Sequence, residues 1–330
     1  MDTATVQGPG SDVPDLPALT SSLAQLLGSP PFDVQSIEIV DRQIAPASST
    51  FPCEIVTCRT KRNGQLRLYC KYAINYTHGD LDNRQGLVYE GTVYRRILQP
   101  IPVTVPVCYG VHSNSTTGDS WLVLEYLNDS LPLNDTADPA SLVSQAACWL
   151  AAFHAVNEPR VSTPDVNFLV RYDATYYRGW SRRTLLFARD VAKQYPWLET
   201  VCGKYEKAVD CLVASPLTVV HGEFDSTNLL WRNGTLYPVD WESAAVAAPE
   251  IDLARLTWGW PVDVADACER AYQDAYWRSG PPSTFLQRLT VARVYLLLRF
   301  LGERPEWTIH ESSSSLFAEL REAAERLAVI

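Results

Sequence analysis

The segment His221-Gly222-Glu223-Phe224-Asp225-Ser226-Thr227-Asn228, followed downstream by Pro238-Val239-Asp240-Trp241-Glu242, decides how the chain is read. Between the two, Leu229 to Arg232 is a short apolar run and Asn233-Gly234 is a strong type I′ turn signal. Thr235 to Val239 is then the return strand. A two-residue turn pairs residue 232 with 235, 231 with 236, 230 with 237, 229 with 238 and 228 with 239. The hairpin therefore brings Asn228 beside Val239 and Asp240 at its open end. An amide oxygen and a carboxylate placed together are hard oxygen ligands. They suit Mg²⁺, which takes one or two protein groups along with substrate phosphates. Glu223 lies in the loop feeding the same end, where a carboxylate can accept the proton of a hydroxyl nucleophile. The spacing nominates Asn228 and Asp240 as metal ligands and Glu223 as the base, with Asp225 a second candidate base.

Working outward, the chain changes character once. Residues 1–33 read as an N-terminal tail and a short amphipathic helix, Asp15 to Leu27, with Leu16, Leu19, Leu23, Leu26 and Leu27 on one face. Residues 34–127 are strand-rich. Ser36 to Val40 alternates, Phe51 to Thr60 is rich in β-branched residues, and Lys61-Arg62-Asn63-Gly64 offers a hairpin turn into Leu66 to Tyr72. Tyr89 to Leu98 predicts one helix, and Val103 to Val111 and Trp121 to Tyr126 predict two more strands. Residues 128–330 are mainly helical. Helices are predicted at Ala140 to Val156, Trp197 to Leu212, Ala265 to Tyr276, Thr284 to Leu301 and Ser315 to Ala328. The most apolar late stretch, Val291 to Leu301, is interrupted by Arg293 and Arg299. The expected class is α+β: a small antiparallel N-terminal lobe with one main helix, then a larger helical lobe.

These residues resemble the aminoglycoside phosphotransferase and choline kinase-like families, which have the bilobal protein-kinase-like fold. Their signature is a His-Gly-Asp-x-x-x-x-Asn loop followed by a metal-binding Asp, often within Asp-Trp-Glu. Here the loop runs from His221-Gly222-Glu223 to Asn228, and Asp240-Trp241-Glu242 follows. Pro249-Glu250-Ile251-Asp252-Leu253-Ala254 is similar to the family's Pro-x-x-Asp-Leu-Ala stretch, and Trp149 to His154 to its Leu-His helix. The resemblance implies that Lys71 holds the α- and β-phosphates of ATP or GTP with Glu90 as its partner. It also implies that the strand Trp121 to Tyr126, with Glu125, enters the adenine-binding hinge. Asp252 would brace the catalytic loop, a role compatible with capping a helix from Leu253 to Trp258. His221 would hydrogen-bond the loop and not shuttle protons, and Glu242 is either a second metal contact or a solvated neighbour. The chain departs from the pattern twice. Glu223 stands where the family has Asp, and the phosphate loop Ile44 to Phe51 holds Ser48, Ser49 and Thr50 but no glycine.

Composition narrows the partners. Of 330 residues, 46% are hydrophobic and 20% charged, which are globular proportions. Asp and Glu number 38 against 28 Lys and Arg, a net charge of −10. That charge disfavours nucleic acid and anionic membrane surfaces as partners, and welcomes a cationic small substrate. No run of about 18 uncharged apolar residues is present. The first basic residue is Arg42, so residues 1–41 lack the charged start of a secretory signal. The 8 cysteines form no Cys-x-x-Cys pair and read as buried free thiols of a cytoplasmic protein. Candidate acceptor contacts are the aromatic clusters Tyr172, Tyr176, Tyr177, Trp180 and Trp258, Trp260, with Asp263, Asp266, Glu269, Glu306 and Glu311 as acids. The reading that follows is a Mg²⁺-dependent kinase that phosphorylates a hydroxyl on a natural product, sugar or amino alcohol. The alternatives are an aminoglycoside-type resistance phosphotransferase and a nucleotide-binding pseudokinase.

Overall fold

In the computed structural model, residues 13–32, 34, 36–45, 51–61, 64–74, 85–214 and 216–327 are described. The chain divides into two units, one ending at Asp129 and the other running from Ser130.

The first unit is built on a five-stranded antiparallel sheet in the order β1-β2-β3-β5-β4. Its strands are β1 (Ile37–Ile44), β2 (Cys53–Thr60), β3 (Gly64–Ala73), β4 (Cys108–Ser113) and β5 (Ser120–Glu125). Helix α1 (Leu16–Gly28) opens with Asp15, whose carboxylate accepts from the Ala18 N–H at 2.8 Å. Its Leu19, Leu23 and Leu27 are fully buried against Val56, Leu68, Cys70 and Tyr72. The N-terminal helix is thus part of this unit's core. Strand alternation explains the rest: Leu68, Cys70 and Tyr72 face α1, so Lys71 between them points to the other face. Helix α2 (Leu87–Val93) packs there, its last turn widening into a π-helical segment at Tyr94–Leu98. The strand expected from Val103 begins only at Cys108, because Ile101 to Val107 makes no regular ladder.

The second unit is helical with two small three-stranded sheets. Its elements are β6 (Leu131–Pro132), α3 (Pro139–Asn157), β7 (Val170–Arg171), α4 (Ala174–Phe187), α5 (Leu198–Ala208) and α6 (Asp210–Val213). They continue with β8 (Thr218–Val220), β9 (Leu229–Arg232), β10 (Thr235–Pro238), β11 (Ala245–Ala247) and α7 (Glu250–Thr257). The chain closes with α8 (Val262–Tyr276), α9 (Phe285–Glu303), α10 (Pro305–Thr308) and α11 (Ser314–Leu327). Helix α9 is central, packed by α4, α7 and α11. The β9–β10 register is 232 with 235, 231 with 236, 230 with 237 and 229 with 238, as the turn arithmetic requires. Sequence reading passed over α4 and the strands β7, β8 and β11, which have two or three residues each and pair across long loops. The described cysteines are free thiols; Cys148 is exposed, Cys211 half-buried and the others buried. Among the described residues, no helix is long and apolar enough to cross a membrane.

Candidate active site

In the first unit, Lys71 and Glu90 form a buried pair. The Lys71 ammonium donates to Glu90 Oε2 at 2.9 Å and Oε1 at 3.1 Å. Both side chains are nearly inaccessible, at 4% and 0%. Such a pair fixes the lysine's direction more than it stabilises the fold. Glu125 ends β5, and its carboxylate accepts from the Val107 N–H at 3.2 Å. Beyond it the Arg67 guanidinium lies 4.4 Å over the Tyr126 ring and donates to Asn128 Oδ1 at 2.5 Å, holding the chain where it leaves the sheet. Ser48, Ser49 and Thr50 lie outside the described residues.

In the second unit, β8 delivers His221 into a loop held from several sides. Asp252, fully buried, accepts the His221 N–H at 2.6 Å on Oδ2 and the Gly222 N–H at 2.8 Å on Oδ1. His154 Nε2 meets the same Oδ2 at 3.2 Å, and its Nδ1 meets the Tyr272 hydroxyl at 2.9 Å. Asp252 sits inside the first turn of α7, whose N-cap is Pro249, so it braces the loop and does not cap a helix. His221 Nε2 donates to the Val239 carbonyl at 2.9 Å, and its Nδ1 accepts from the Glu223 N–H at 3.3 Å. Both ring nitrogens are therefore engaged in tying the loop to the hairpin. Gly222 takes φ +86°, and a Cβ there would lie 2.3 Å from the Ser243 carbonyl oxygen. Only glycine allows that approach.

The hairpin closes as the spacing predicts: the Val239 N–H donates to the Asn228 carbonyl at 2.9 Å. Asn228 Nδ2 donates to the Glu223 carbonyl at 3.0 Å, which turns its Oδ1 the other way. Asp240 takes the left-handed conformation, φ 69° and ψ 61°. Asp tolerates it better than most residues, at a cost of about 1–2 kcal/mol. A carboxylate and an amide oxygen at one hairpin end fit Mg²⁺, and a softer ion would prefer nitrogen or sulfur. Glu242 is fully buried, so it is no solvated neighbour. Trp241 packs 5.1 Å from Phe153 of α3 and 4.4 Å from His221, and Phe224 stacks 5.8 Å from Trp149. The site rests on aromatic core.

The two candidate bases differ. Asp225 Oδ1 accepts from the Thr227 N–H at 2.9 Å and its hydroxyl at 2.5 Å, while Oδ2 accepts from Arg255 at 2.5 Å. Burial alone would raise its pKa, but Arg255 and the Thr227 bonds outweigh that and hold it below the usual carboxylate range. Both oxygens are committed. Glu223 instead meets Arg299, whose Nη2 donates to Oε1 at 2.5 Å and whose Nη1 donates to the Gly222 carbonyl at 3.0 Å. Sequence reading missed this partner. The available signal was an arginine inside an apolar helical run, which needs a buried counter-charge.

The proposed acceptor residues separate. Tyr172 stacks on Tyr176 at 3.9 Å, and Tyr177 and Trp180 are buried, so that cluster is core. Trp258 and Trp260 instead line a pocket of about 390 Å³ with Asp266 and Glu269. Glu319, which accepts from Trp258 Nε1 at 2.7 Å, and Glu322 also line it, and its basic residues are Arg293 and Arg326. Glu269 pairs with Arg293. Asp263 and Glu306 are exposed elsewhere, and the Glu311 side chain lies outside the described residues.

The family model of the phosphotransferase enzyme family (APH) matches residues 90–284. No curated protein sequence matches the chain. Among solved structures, a candidate fructosamine-3-kinase from Haemophilus somnus superposes with a TM-score of 0.62 at 15% identity, covering 94% of this chain and 96% of that one. A choline kinase from Streptococcus pneumoniae, also solved with AMP, superposes at 0.58 and 14% identity, covering 95% and 99%. A macrolide 2′-phosphotransferase from Brachybacterium faecium gives 0.56 at 15% identity, covering 92% and 98%. At these identities the likeness is one of fold, the protein-kinase-like fold.

Proposed function

The chain belongs to the phosphotransferase enzyme family, and from that premise we propose that it is a Mg²⁺-dependent kinase moving the γ-phosphoryl group of ATP or GTP to a hydroxyl of a small cationic acceptor. The observation that supports the reading is the hairpin end, where the Val239 N–H bonds the Asn228 carbonyl and so sets Asn228 beside the segment that carries Asp240, next to a loop pinned by Asp252. Asn228 and Asp240 would hold the metal, and Lys71, directed by Glu90, would hold the donor's α- and β-phosphates. The metal, when bound, neutralises charge on the phosphates. Glu223 takes the proton of the acceptor hydroxyl, whose oxygen bonds to the γ-phosphorus as the bond to the diphosphate breaks. The diphosphate leaves with the electron pair. Asp225, held in its ionised form below the usual carboxylate range by Arg255 and the Thr227 bonds, is the weaker base. The buried Lys71–Glu90 pair, together with Asn228 and Asp240 retained in the sequence at the hairpin end, supports an active kinase over a pseudokinase.

The pocket at Trp258 and Trp260 supports the cationic acceptor class. It presents four carboxylates beside two indole rings; Arg293 and Arg326 pair with Glu269 and Glu322, which leaves Asp266 and the Glu319 carboxylate that accepts from Trp258 as the acidic excess. That composition suits an amino alcohol or an aminated natural product better than a neutral sugar. The test is a thermal-shift titration with ATP and GTP, each with and without Mg²⁺, on the wild type and Asp240→Asn. Asn keeps the left-handed backbone and removes the charge. A ligand at a hundredfold excess over its Kd stabilises by about 2.7 kcal/mol. The wild type should show a Mg²⁺-dependent shift that Asp240→Asn loses together with turnover. Wild-type turnover in Asp240→Asn refutes the metal assignment.

A further inference from the structure

Arg299 sits on α9, is 4% exposed, and spends its fork on two successive residues of the catalytic loop. Its Nη1 holds the Gly222 carbonyl at 3.0 Å and its Nη2 holds Glu223 Oε1 at 2.5 Å. The Nε–H, also buried, has no acceptor among the described residues, so the hydrogen bonds of the guanidinium go to the loop. A charge buried in a packed helix is a poor stabiliser compared with an apolar residue of its size, which makes a purely structural account weak. The loop contact supplies a better one. Glutamate has one more rotatable bond than aspartate, and its carboxylate sits about 1.5 Å further along the chain, where a misplacement near 1 Å can slow a reaction about a hundredfold. Fixing Oε1 removes that extra freedom and sets where Oε2 stands. Fixing the carbonyl of residue 222 with the same group makes the backbone and the side chain move together.

We propose that Arg299 is the positioning residue for Glu223, so that the glutamate and the arginine act as one unit in place of the shorter aspartate. The proposal rests on Glu223 being the general base. Glu223 would accept the proton on the carboxylate whose Oε1 Arg299 holds.

The experiment compares the wild type, Arg299→Lys, Glu223→Gln and the double variant in steady-state phosphate release from MgATP, with water as the acceptor. Thermal melts check folding. Arg299→Lys keeps the charge and loses the fork. It should lower kcat about a hundredfold and leave the nucleotide KM within about twofold. In the Glu223→Gln background the same substitution should change kcat by less than about threefold, because the group it positions is gone. Multiplicative losses, or a lowered melting temperature with kcat intact, overturn the proposal. Wild-type kcat in Glu223→Gln instead refutes the base assignment, a distinguishable failure. Should Arg299→Lys fold poorly, Glu223→Asp serves: it keeps the carboxylate and shortens its reach away from the fork. Its kcat should fall about a hundredfold. An unchanged or raised kcat there would mean that the fork does not set the reach.

Discussion

Gly222→Ala isolates how tightly the catalytic loop is seated. The new Cβ would lie 2.3 Å from the Ser243 carbonyl oxygen, 3.0 Å from its carbon and 3.1 Å from Ser243 Cβ. Ordinary contact is near 3.5 Å, so the two segments must part by about 1 Å. The Ser243 oxygen also accepts from the Tyr172 hydroxyl at 3.3 Å, a buried bond that the movement would stretch. Positive φ costs an L-residue about 1–2 kcal/mol, and overpacking adds about 1–3 kcal/mol. Roughly 3–5 kcal/mol is expected once the weakened hydrogen bond is included. Gly280 is the control: it has the same φ of +86° with nothing within 4 Å, so Gly280→Ala carries only the backbone part, about 1–2 kcal/mol. Because Ser243 follows Asp240 by three residues, the displacement should also carry the metal end and reduce kcat about a hundredfold. Urea unfolding followed by tryptophan fluorescence measures the first effect, and phosphate release from MgATP measures the second. Equal urea midpoints for the two alanine variants, or wild-type turnover in Gly222→Ala, would refute the close-approach argument.

Two further outcomes are expected. Lys71→Met removes the ammonium facing buried Glu90 and should destabilise the first unit by about 3–5 kcal/mol, most of it recovered in Lys71→Met/Glu90→Gln; a double variant no more stable than the single one would mean that the pair is not the cause. Burial pushes the thiols of Cys58 and Cys211 up to about 11 and those of Cys108 and Cys202 up to about 12, so a disulfide reagent at pH 8 should label exposed Cys148 first, half-buried Cys211 more slowly, and the buried thiols only on unfolding. The sign for stability follows: thiols ionise near 8.5 in the unfolded chain, so their contribution is full below that pH. It is lost as pH rises through the folded values, and the melting temperature should fall above about pH 9. Rapid labelling of several thiols in the folded protein at pH 8 would contradict this.

What the sequence disclosed and what it hid follows from how far each interaction reaches. The β9–β10 register was legible because Asn233-Gly234 is a local instruction, and alternation does the rest out to Asn228 and Val239. The short strands β7, β8 and β11 were not, because two or three residues carry no period and their pairing crosses from residue 170 to 245 and from 220 to 245. The tyrosines at 172, 176 and 177 were visible, but whether such a cluster is core or binding wall depends on Tyr295 of α9, which bonds Tyr176 at 3.1 Å. The arginines of α9 show what a closer reading could extract. Arg288 and Arg299 are three helical turns apart and so share one face, whereas Arg293 lies off it and is 30% exposed. Two guanidiniums on the buried face of one helix demand two buried carboxylates. They find Glu250 at 2.5 Å and Glu223 at 2.5 Å, the first two residues before Asp252 and the second two residues after His221. Helix α9 thereby fixes the start of α7 and the catalytic loop to one rigid edge, and Asp252 ties those two segments to each other.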